Sequence, residues 1–226
     1  MRLTPSVLLV LPLAFACTNP ESSTGSSADE GWTSLFDGET TSGWHGFRQD
    51  QAPAGWQVVD GALTRVAAGG DLVSDEAFED FVLELEWRIS RGGNSGIMFR
   101  VSEDQDATYF TGPEMQVLDD AGQEELDPLH SAGSNYALHA PKGKVLMPVG
   151  EWNQVRLVVD GSHVEHWLNG LRIVEYELWS PEWRALVDAS KFAAWPSYGM
   201  NERGHLALQD HGDEVAYRNI RLKHLR

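Results

Sequence analysis

The chain has 226 residues, and 34 acidic against 17 basic residues give it a formal net charge of −17. A surface this acidic repels nucleic acids and anionic lipids, which argues against both as partners. The nine tryptophans indicate a different ligand, because indole rings stack well on the apolar faces of sugars, although each of them could equally belong to the core.

The first 17 residues have the features of a secretory signal peptide. Arg2 supplies an early positive charge, an apolar run begins at Val7, and residues 14–16 form a small-x-small cleavage site. The run is too short to span a membrane as a mature helix. Cys17 follows the site directly and resembles the acylated cysteine of a bacterial lipoprotein, although alanine stands at 14 where leucine is usual.

We therefore expect an exported lipoprotein of the periplasm or cell envelope, attached to a membrane only through a lipid on Cys17. Ordinary secretion with a free thiol is the alternative. Residues 18–30, TNPESSTGSSADE, are rich in serine, threonine and acids and predict a flexible tether. Residues 31–226 then form one predicted domain, and it has no disulfide because Cys17 is the only cysteine.

Short segments of alternating polarity dominate this domain. Residues 81–89, FVLELEWRI, place their apolar side chains on one face, and SGIMFRV at 95–101 continues the pattern after the turn-forming RGGN. VAYRNIRLKHL at 215–225 predicts a further strand near the C-terminus.

Hairpin and helix signals complete the domain. In residues 151–177, Asp160-Gly161 and Asn169-Gly170 are type I′ turn signals that predict two hairpins. Ser180 as N-cap and Pro181 at the first helical position predict one short helix. Many strands, frequent glycine turns and little helix predict an all-β antiparallel sandwich.

Three predicted strands combine an apolar face with a face of long polar side chains. GHLALQDHG at 204–212 buries its leucines on one side, GPEMQVLDD at 112–120 repeats this arrangement, and NSGIMFR at 94–100 has the same parity. If the strands share one curved sheet, a single concave surface is lined by Asn94, Arg100, Glu114, Gln116, Gln209 and His211. A solvated sheet face without function is the alternative, but the nearby small residues Gly96, Gly112 and Ala207 leave room for a ligand.

The segment SKFAAWPSYGMNERG at 190–204 is predicted to be a lid over this surface. Lys191 offers a cation, and Trp195 and Tyr198 offer aromatic planes to a ligand. A packed surface loop is the alternative. The sequence has no zinc-ligand spacing, phosphate loop or GxSxG motif. A site for calcium or another divalent ion, using Glu114, Asp119 or Asp120, is an alternative that the sequence leaves open.

Five motifs in this order resemble the 3-keto-disaccharide hydrolase family over essentially all of residues 31–226. They are GWTSLFDGETTSGW, GGNSGIMFR, GPEMQVLDD, GEWNQVRLVVDGSHVEHWLNG and GHLALQDHGDEVAYRNIRLK. The resemblance implies a concanavalin-like jelly-roll sandwich, exported from a bacterium, that acts on glucosides whose C3 hydroxyl has been oxidised to a ketone. It also implies an upstream oxidoreductase as a partner, and the family includes both lyase-like and hydrolase-like members.

The expected chemistry fits the polar residues. A C3 ketone acidifies the proton on C2, so a base can remove it and the enolate can expel the group at C1. Subsequent addition of water gives net hydrolysis. Such a site needs an acid, a base and an electrophile for the enolate oxygen. Glu114 and His211 are the candidate acid and base in either order, and Lys191, Arg100 or a divalent ion is the candidate electrophile.

Two other functions remain open at this point. The same sandwich could be a carbohydrate-binding module without catalysis. It could also be a glycosidase for unoxidised sugars that uses paired carboxylates, but only Glu84 and Glu86 stand out as partners for Glu114. The group of Glu114, Arg100 and His211 favours catalysis over binding alone.

Overall fold

The computed structural model describes residues 30–225, which fold into two antiparallel β-sheets. The smaller sheet contains β2 (Trp44–Gly46), β5 (Leu72–Phe78), β7 (Asn94–Val101), β8 (Glu114–Leu118) and β12 (Gly204–Leu208). The larger sheet contains β1 (Trp32–Ser34), β3 (Trp56–Val59), β4 (Ala62–Arg65), β6 (Phe81–Ile89), β9 (Asn153–Asp160), β10 (His163–Leu168), β11 (Leu171–Glu177) and β13 (Val215–His224).

The strand order is β11-β10-β9-β6-β13-β4-β3 in the larger sheet, with β1 also paired to β13, and β2-β5-β12-β7-β8 in the smaller one. Neighbouring strands come from distant parts of the chain, as in a jelly roll. The predicted antiparallel jelly-roll sandwich is confirmed. The predicted signal peptide, Cys17 and nearly all of the predicted tether lie outside the described residues.

Alternation explains how the two sheets share one core. In β6 the residues at odd positions are buried and those at even positions are half-buried, as the sequence predicts. From the smaller sheet, Ile97, Phe99 and Met115 pack into the same cluster as Leu83 and Leu85. Burying these side chains supplies most of the stabilisation, at about 25 cal/mol per Å² of apolar surface.

The helix α1 (Pro181–Asp188) begins where it was predicted. The Ser180 hydroxyl accepts a hydrogen bond from Trp183 N at 3.1 Å, and Pro181 needs no donor partner there. Short 3₁₀ helices span Thr108–Phe110, Asp120–Gly122, Pro128–His130 and Lys191–Ala194. Within residues 30–225 no helix is both long and apolar enough to cross a membrane.

Both predicted hairpins form, but one turn differs from the expectation. Asn169 and Gly170 both have positive φ, as a type I′ turn requires. In the β9–β10 hairpin, Asp160 pairs with His163, so Gly161 and Ser162 form the turn. Only Gly161 has positive φ, which corresponds to type II′, so the type I′ prediction at Asp160-Gly161 is wrong.

Candidate active site

One row of paired residues crosses all five strands of the smaller sheet. His45 pairs with Val73, Val73 with Ala207, Ala207 with Met98, and Met98 with Glu114. Paired residues in antiparallel strands point to the same side, so all five face away from the core. We call this the site face. Four inter-strand steps of about 4.8 Å separate His45 from Glu114 by roughly 19 Å.

A second row lies beside the first. Gly96 pairs with Gln116 on one side, and on the other side Gln209 N donates a hydrogen bond to Gly96 O at 2.9 Å. The predicted grouping of Glu114, Gln116 and Gln209 on one face is therefore confirmed. Asn94 lies on the same face because it is two residues before Gly96 in β7, and alternate residues of a strand point to the same side.

The chain from 102 to 113, which connects β7 to β8, folds back over the site face, and we call it the strap. Glu103 accepts hydrogen bonds from Arg48 N at 2.6 Å and contacts His45 Nε2 at 3.2 Å. Thr108 donates its hydroxyl to the Asp71 carboxylate. Val73 and Met98, on this outer face, are fully buried in a second apolar cluster, against which Phe47 packs.

Glu114 is the central ionisable group of the site. Its residue surface is only 6% exposed, and its side chain leans over Gly96, where an added Cβ would lie 2.7 Å from Glu114 Cδ. Burial raises the pKa of this carboxyl to about 8; the Lys191 charge opposes the rise and the Asp71 charge adds to it. Within residues 30–225 no group donates a hydrogen bond to this carboxylate, so it keeps its proton at neutral pH.

Lys191 lies at the start of the 3₁₀ helix Lys191–Ala194, in the predicted lid. Its ammonium is 4.3 Å from the centroid of the Tyr136 ring, and Tyr136 N donates to Glu114 O at 3.0 Å. Desolvation of the ammonium lowers the pKa of Lys191, and the Glu114 charge opposes this effect. A cation and a protonated acid therefore face the same space.

Three amide oxygens near this carboxyl are buried without a hydrogen-bond donor among the described residues. Gln116 donates its amide nitrogen to His130 O at 3.2 Å, which leaves its Oε1 unpaired. Gln209 Oε1 and Asn94 Oδ1 are also unpaired. Buried acceptors without partners are costly, so they suit a ligand that brings hydroxyl donors, such as a sugar.

Asp71 is a second carboxyl of the site face that sequence reasoning missed. Its Oδ1 accepts a hydrogen bond from Asp210 N at 2.8 Å, and its Oδ2 accepts the Thr108 hydroxyl. Burial raises its pKa, against these two hydrogen bonds. Parity with Val73 could have indicated its face, but only the pairing of β5 with β12 shows that it approaches Glu114.

His211 does not lie within a strand as was predicted. β12 ends at Leu208, and His211 is exposed in the following turn. That turn is fixed by Asp210, whose carboxylate binds Gly69 N at 2.9 Å and Arg65 Nε at 2.7 Å. His211 is exposed, and the backbone N–H of the preceding Asp210 donates to Asp71 at 2.8 Å, so His211 lies at the rim of the site and not on its floor.

The prediction that Arg100 lines this surface is wrong. Between the pairs Ala207–Met98 and His205–Val101, β12 has one residue but β7 has two, so β7 contains a bulge. Arg100 adopts φ 53° there and donates to Glu79 O at 3.0 Å through Nη2. Its guanidinium, 5.3 Å from the Trp179 ring, is therefore not available as the electrophile.

The two predicted lid aromatics have different environments. Trp195 is half-buried and stacks on Phe110 at 4.7 Å, beside the exposed Tyr109 at 5.4 Å, so an aromatic edge remains near the strap. Tyr198 is 2% exposed and stacks on Phe192 at 3.8 Å and on Trp183 at 6.0 Å. The prediction that Tyr198 contacts a ligand is wrong, because its ring is part of the core.

The carboxylates considered for a divalent ion do not converge. Asp119 accepts from Gly92 N at 2.8 Å, and Asp120 pairs with Lys144 at 2.6 Å. In the described part of the chain the one metal-compatible group is His163, Glu165 and Glu175 in the larger sheet, where Arg172 already binds both glutamates at 2.7 and 2.8 Å.

Glu84 and Glu86 are not second carboxylates of the site. They lie on β6 in the larger sheet, on the side facing away from the core, where Glu84 pairs with Arg156 and Arg221, and Glu86 with Arg218 at 2.6 Å. The carboxyl that shares the site face with Glu114 is Asp71.

The fold and site together define a jelly-roll β-sandwich with a buried acid on the outer face of one sheet. Residues 31–223 match the model of the 3-keto-alpha-glucoside-1,2-lyase-like domain, and the chain belongs to this family. A curated relative, the 3-keto-disaccharide hydrolase of Bacteroides thetaiotaomicron, is 34% identical over 86% of this chain and 78% of its own length.

Solved structures agree with this membership. A crystal structure from Parabacteroides distasonis, provisionally described as a glycosyl hydrolase, is similar with a TM-score of 0.82 and 33% identity, covering 90% of this chain and 98% of its own. A second structure from the same organism and with the same description has a TM-score of 0.68 at 24% identity, covering 86% and 99% of the two chains. This second likeness shows a shared fold.

Proposed function

We propose that this chain cleaves 3-keto-glucosides, including 3-keto-disaccharides, by removing the proton on C2 and eliminating the group at C1. Family membership and the name of the curated relative support this substrate class. The observation in this chain that carries the proposal is the Glu114 carboxyl, held protonated over Gly96 beside Lys191 and among unpaired amide oxygens.

The reaction balances without an oxidant or reductant. A base takes the C2 proton, the electron pair forms an enolate with the C3 ketone, and the enolate re-forms the ketone as the C1–O bond breaks. The leaving oxygen takes a proton from the acid, so the products are a 1,2-unsaturated 3-keto sugar and an alcohol. Addition of water across the new double bond converts this elimination into net hydrolysis.

The residues of the site face fit these roles. Glu114 is the acid for the leaving oxygen, because its pKa of about 8 keeps it protonated at neutral pH. His211, at the rim, is the base, and the Lys191 ammonium faces the enolate oxygen. Asn94, Gln116 and Gln209 accept hydrogen bonds from sugar hydroxyls, and Trp195 packs against a sugar ring.

The upstream partner follows from the chemistry of the substrate. Ordinary glucosides have a hydroxyl at C3, so an oxidoreductase that converts a secondary alcohol to a ketone must act first. We therefore propose such an enzyme as the source of the substrate.

The deciding experiment compares 3-keto-glucosides with their unoxidised parents, each with and without a chelator, and follows the products by NMR. We expect cleavage of the oxidised compounds alone, with either the unsaturated ketone or 3-keto-glucose as the product. Binding of both compounds without turnover would instead indicate a carbohydrate-binding module. Cleavage of the unoxidised parent would indicate an ordinary glycosidase.

Variants then test the assigned groups. A well-placed acid or base contributes about 10² to 10⁴ in rate, so Glu114→Gln and His211→Ala should each lose most turnover. Glu86→Gln is the matched control, because it makes the same chemical change on the larger sheet and should leave turnover unchanged. Equal turnover in Glu114→Gln and wild type would remove Glu114 from the mechanism.

A further inference from the structure

Asp71 and Glu114 approach each other from opposite sides of the same short stretch of sheet. The Asp71 carboxylate binds Asp210 N, one residue after Gln209. Gln209 in turn hydrogen bonds to Gly96, and the Glu114 side chain lies over Gly96. β5 and β8 thus each send one carboxyl toward the ends of β12 and β7, which lie between them.

Two further ionisable side chains lie close to the two carboxyls. His211 follows Asp210, whose N–H binds Asp71, and Lys191 lies near Glu114 in the lid. The two carboxyls also act on each other, since the Asp71 charge makes the proton of Glu114 harder to remove. The other ionisable groups that interact with one or both carboxyls are Asp210, Tyr136, Tyr198 and Tyr217.

Asp71 also connects a turn and a long loop at one point. One oxygen holds the turn that contains His211 and the other holds the strap through Thr108. The strap leads directly into Glu114 at the start of β8. One carboxylate therefore connects the segments that present both proposed acid–base residues.

We propose that Asp71 is a positioning residue that is coupled to Glu114 across β12 and β7 and whose two hydrogen bonds hold the His211 turn and the strap in place. The catalytic consequence rests on the proposed function, whereas the coupling of the two carboxyls does not. Each of the two Asp71 oxygens accepts a hydrogen bond from the protein, which suits a positioning role.

The test is a ¹³C NMR titration of the side-chain carboxyls, which needs no substrate. Glu114→Gln identifies the Glu114 resonance by its loss. In wild type, the Glu114 resonance should respond in two steps, one of them at the titration of Asp71, because interacting groups titrate as a pair. A single step in wild type would overturn the proposal even if no Asp71 variant folds.

Two variants and one matched control separate the effect of the Asp71 charge from the effect of its hydrogen bonds. In Asp71→Asn the Glu114 midpoint should move to lower pH, and in Asp71→Glu, which keeps the charge, it should stay high. Asp75→Asn removes the same charge four residues further along the chain, in β5, where Asp75 contacts His45 at 2.6 Å, and should leave the midpoint unchanged. Loss of activity in Asp71→Asn with an unshifted Glu114 midpoint would mean structural support alone and would overturn the proposal.

If 3-keto-glucosides prove to be substrates, the pH profile gives an independent readout. The profile limb that belongs to Glu114 should move to lower pH in Asp71→Asn and stay in place in Asp75→Asn. If this limb of the pH profile stays at the same pH in both variants, the coupling of Asp71 to Glu114 is contradicted.

Discussion

Glu114 shows how a single residue gains unusual chemistry from its neighbours. The absence of a side chain on Gly96 gives its carboxyl a place to lie, and the buried position removes the water that would stabilise its charge. The same burial has an energetic cost that depends on pH. The folded protein keeps the Glu114 proton up to about pH 8, whereas an unfolded chain releases it near the ordinary value of 4.5.

The folded state should therefore lose stability as pH rises between these two values, because only the folded chain still binds the proton there. Above about pH 8 the full penalty is on the order of 3 to 5 kcal/mol. Glu114→Gln removes this penalty, so its stability advantage over wild type should grow from pH 5 to pH 9. Urea unfolding of both proteins across this range measures the effect, and parallel pH curves would contradict it.

At the scale of elements, alternation predicted faces well only where a strand is regular. β6, β8 and most of β7 follow period two, so Glu114 and Gln116 could be placed on one face from sequence. The bulge at Arg100 reverses that parity, and no local sequence signal marked it. The prediction that His211 lies on a strand face was wrong for a related reason, because β12 ends three residues before it.

The lid is a second place where the sequence could not predict the position of side chains. Tyr198 and Trp195 are three residues apart, yet the first stacks inside the core and the second lies at the strap. Sequence alone could not separate them, since both are aromatic residues in an irregular segment. The contacts that decide are those with Trp183 in α1 and Phe110 in the strap.

Tyr198→Ala should therefore cost about 3 to 5 kcal/mol of unfolding free energy, as expected for a large buried aromatic ring. Trp195→Ala should cost clearly less and should weaken substrate binding. Tyr198→Phe is the control, because its buried hydroxyl has no partner among the described residues and its removal should be close to neutral. Thermal melts and binding titrations separate these outcomes, and a greater stability loss for Trp195→Ala than for Tyr198→Ala would reverse the assignment.

At the scale of the whole molecule, the two-sheet architecture was predictable because it depends on many strands at once, so that single errors cancel. The pairing of β5 with β12 was not, since these strands are more than 120 residues apart in sequence. Asp71 was missed for that reason. Its position next to two glycines is an ordinary strand start in sequence and becomes a site only through long-range pairing.

The N-terminal region leads to a prediction about location. We propose that Cys17 is acylated and that residues 18–30 tether the acidic domain to a membrane. One acyl chain anchors weakly, so stable retention requires the several chains of a bacterial lipoprotein. Cys17→Ser should release the protein from the membrane fraction, as judged by fractionation and immunoblotting. Retention equal to that of wild type would contradict the anchor.

The missing side chain of Gly96 determines where the Glu114 carboxyl can lie. A methyl group at this position would fall on the Glu114 side chain, 2.7 Å from Cδ, and would displace the carboxyl from the floor of the site. Gln116 and Gln209, on either side of Gly96, would keep their unpaired amide oxygens. On the proposed mechanism, Gly96→Ala should therefore abolish cleavage and leave binding of the sugar in place.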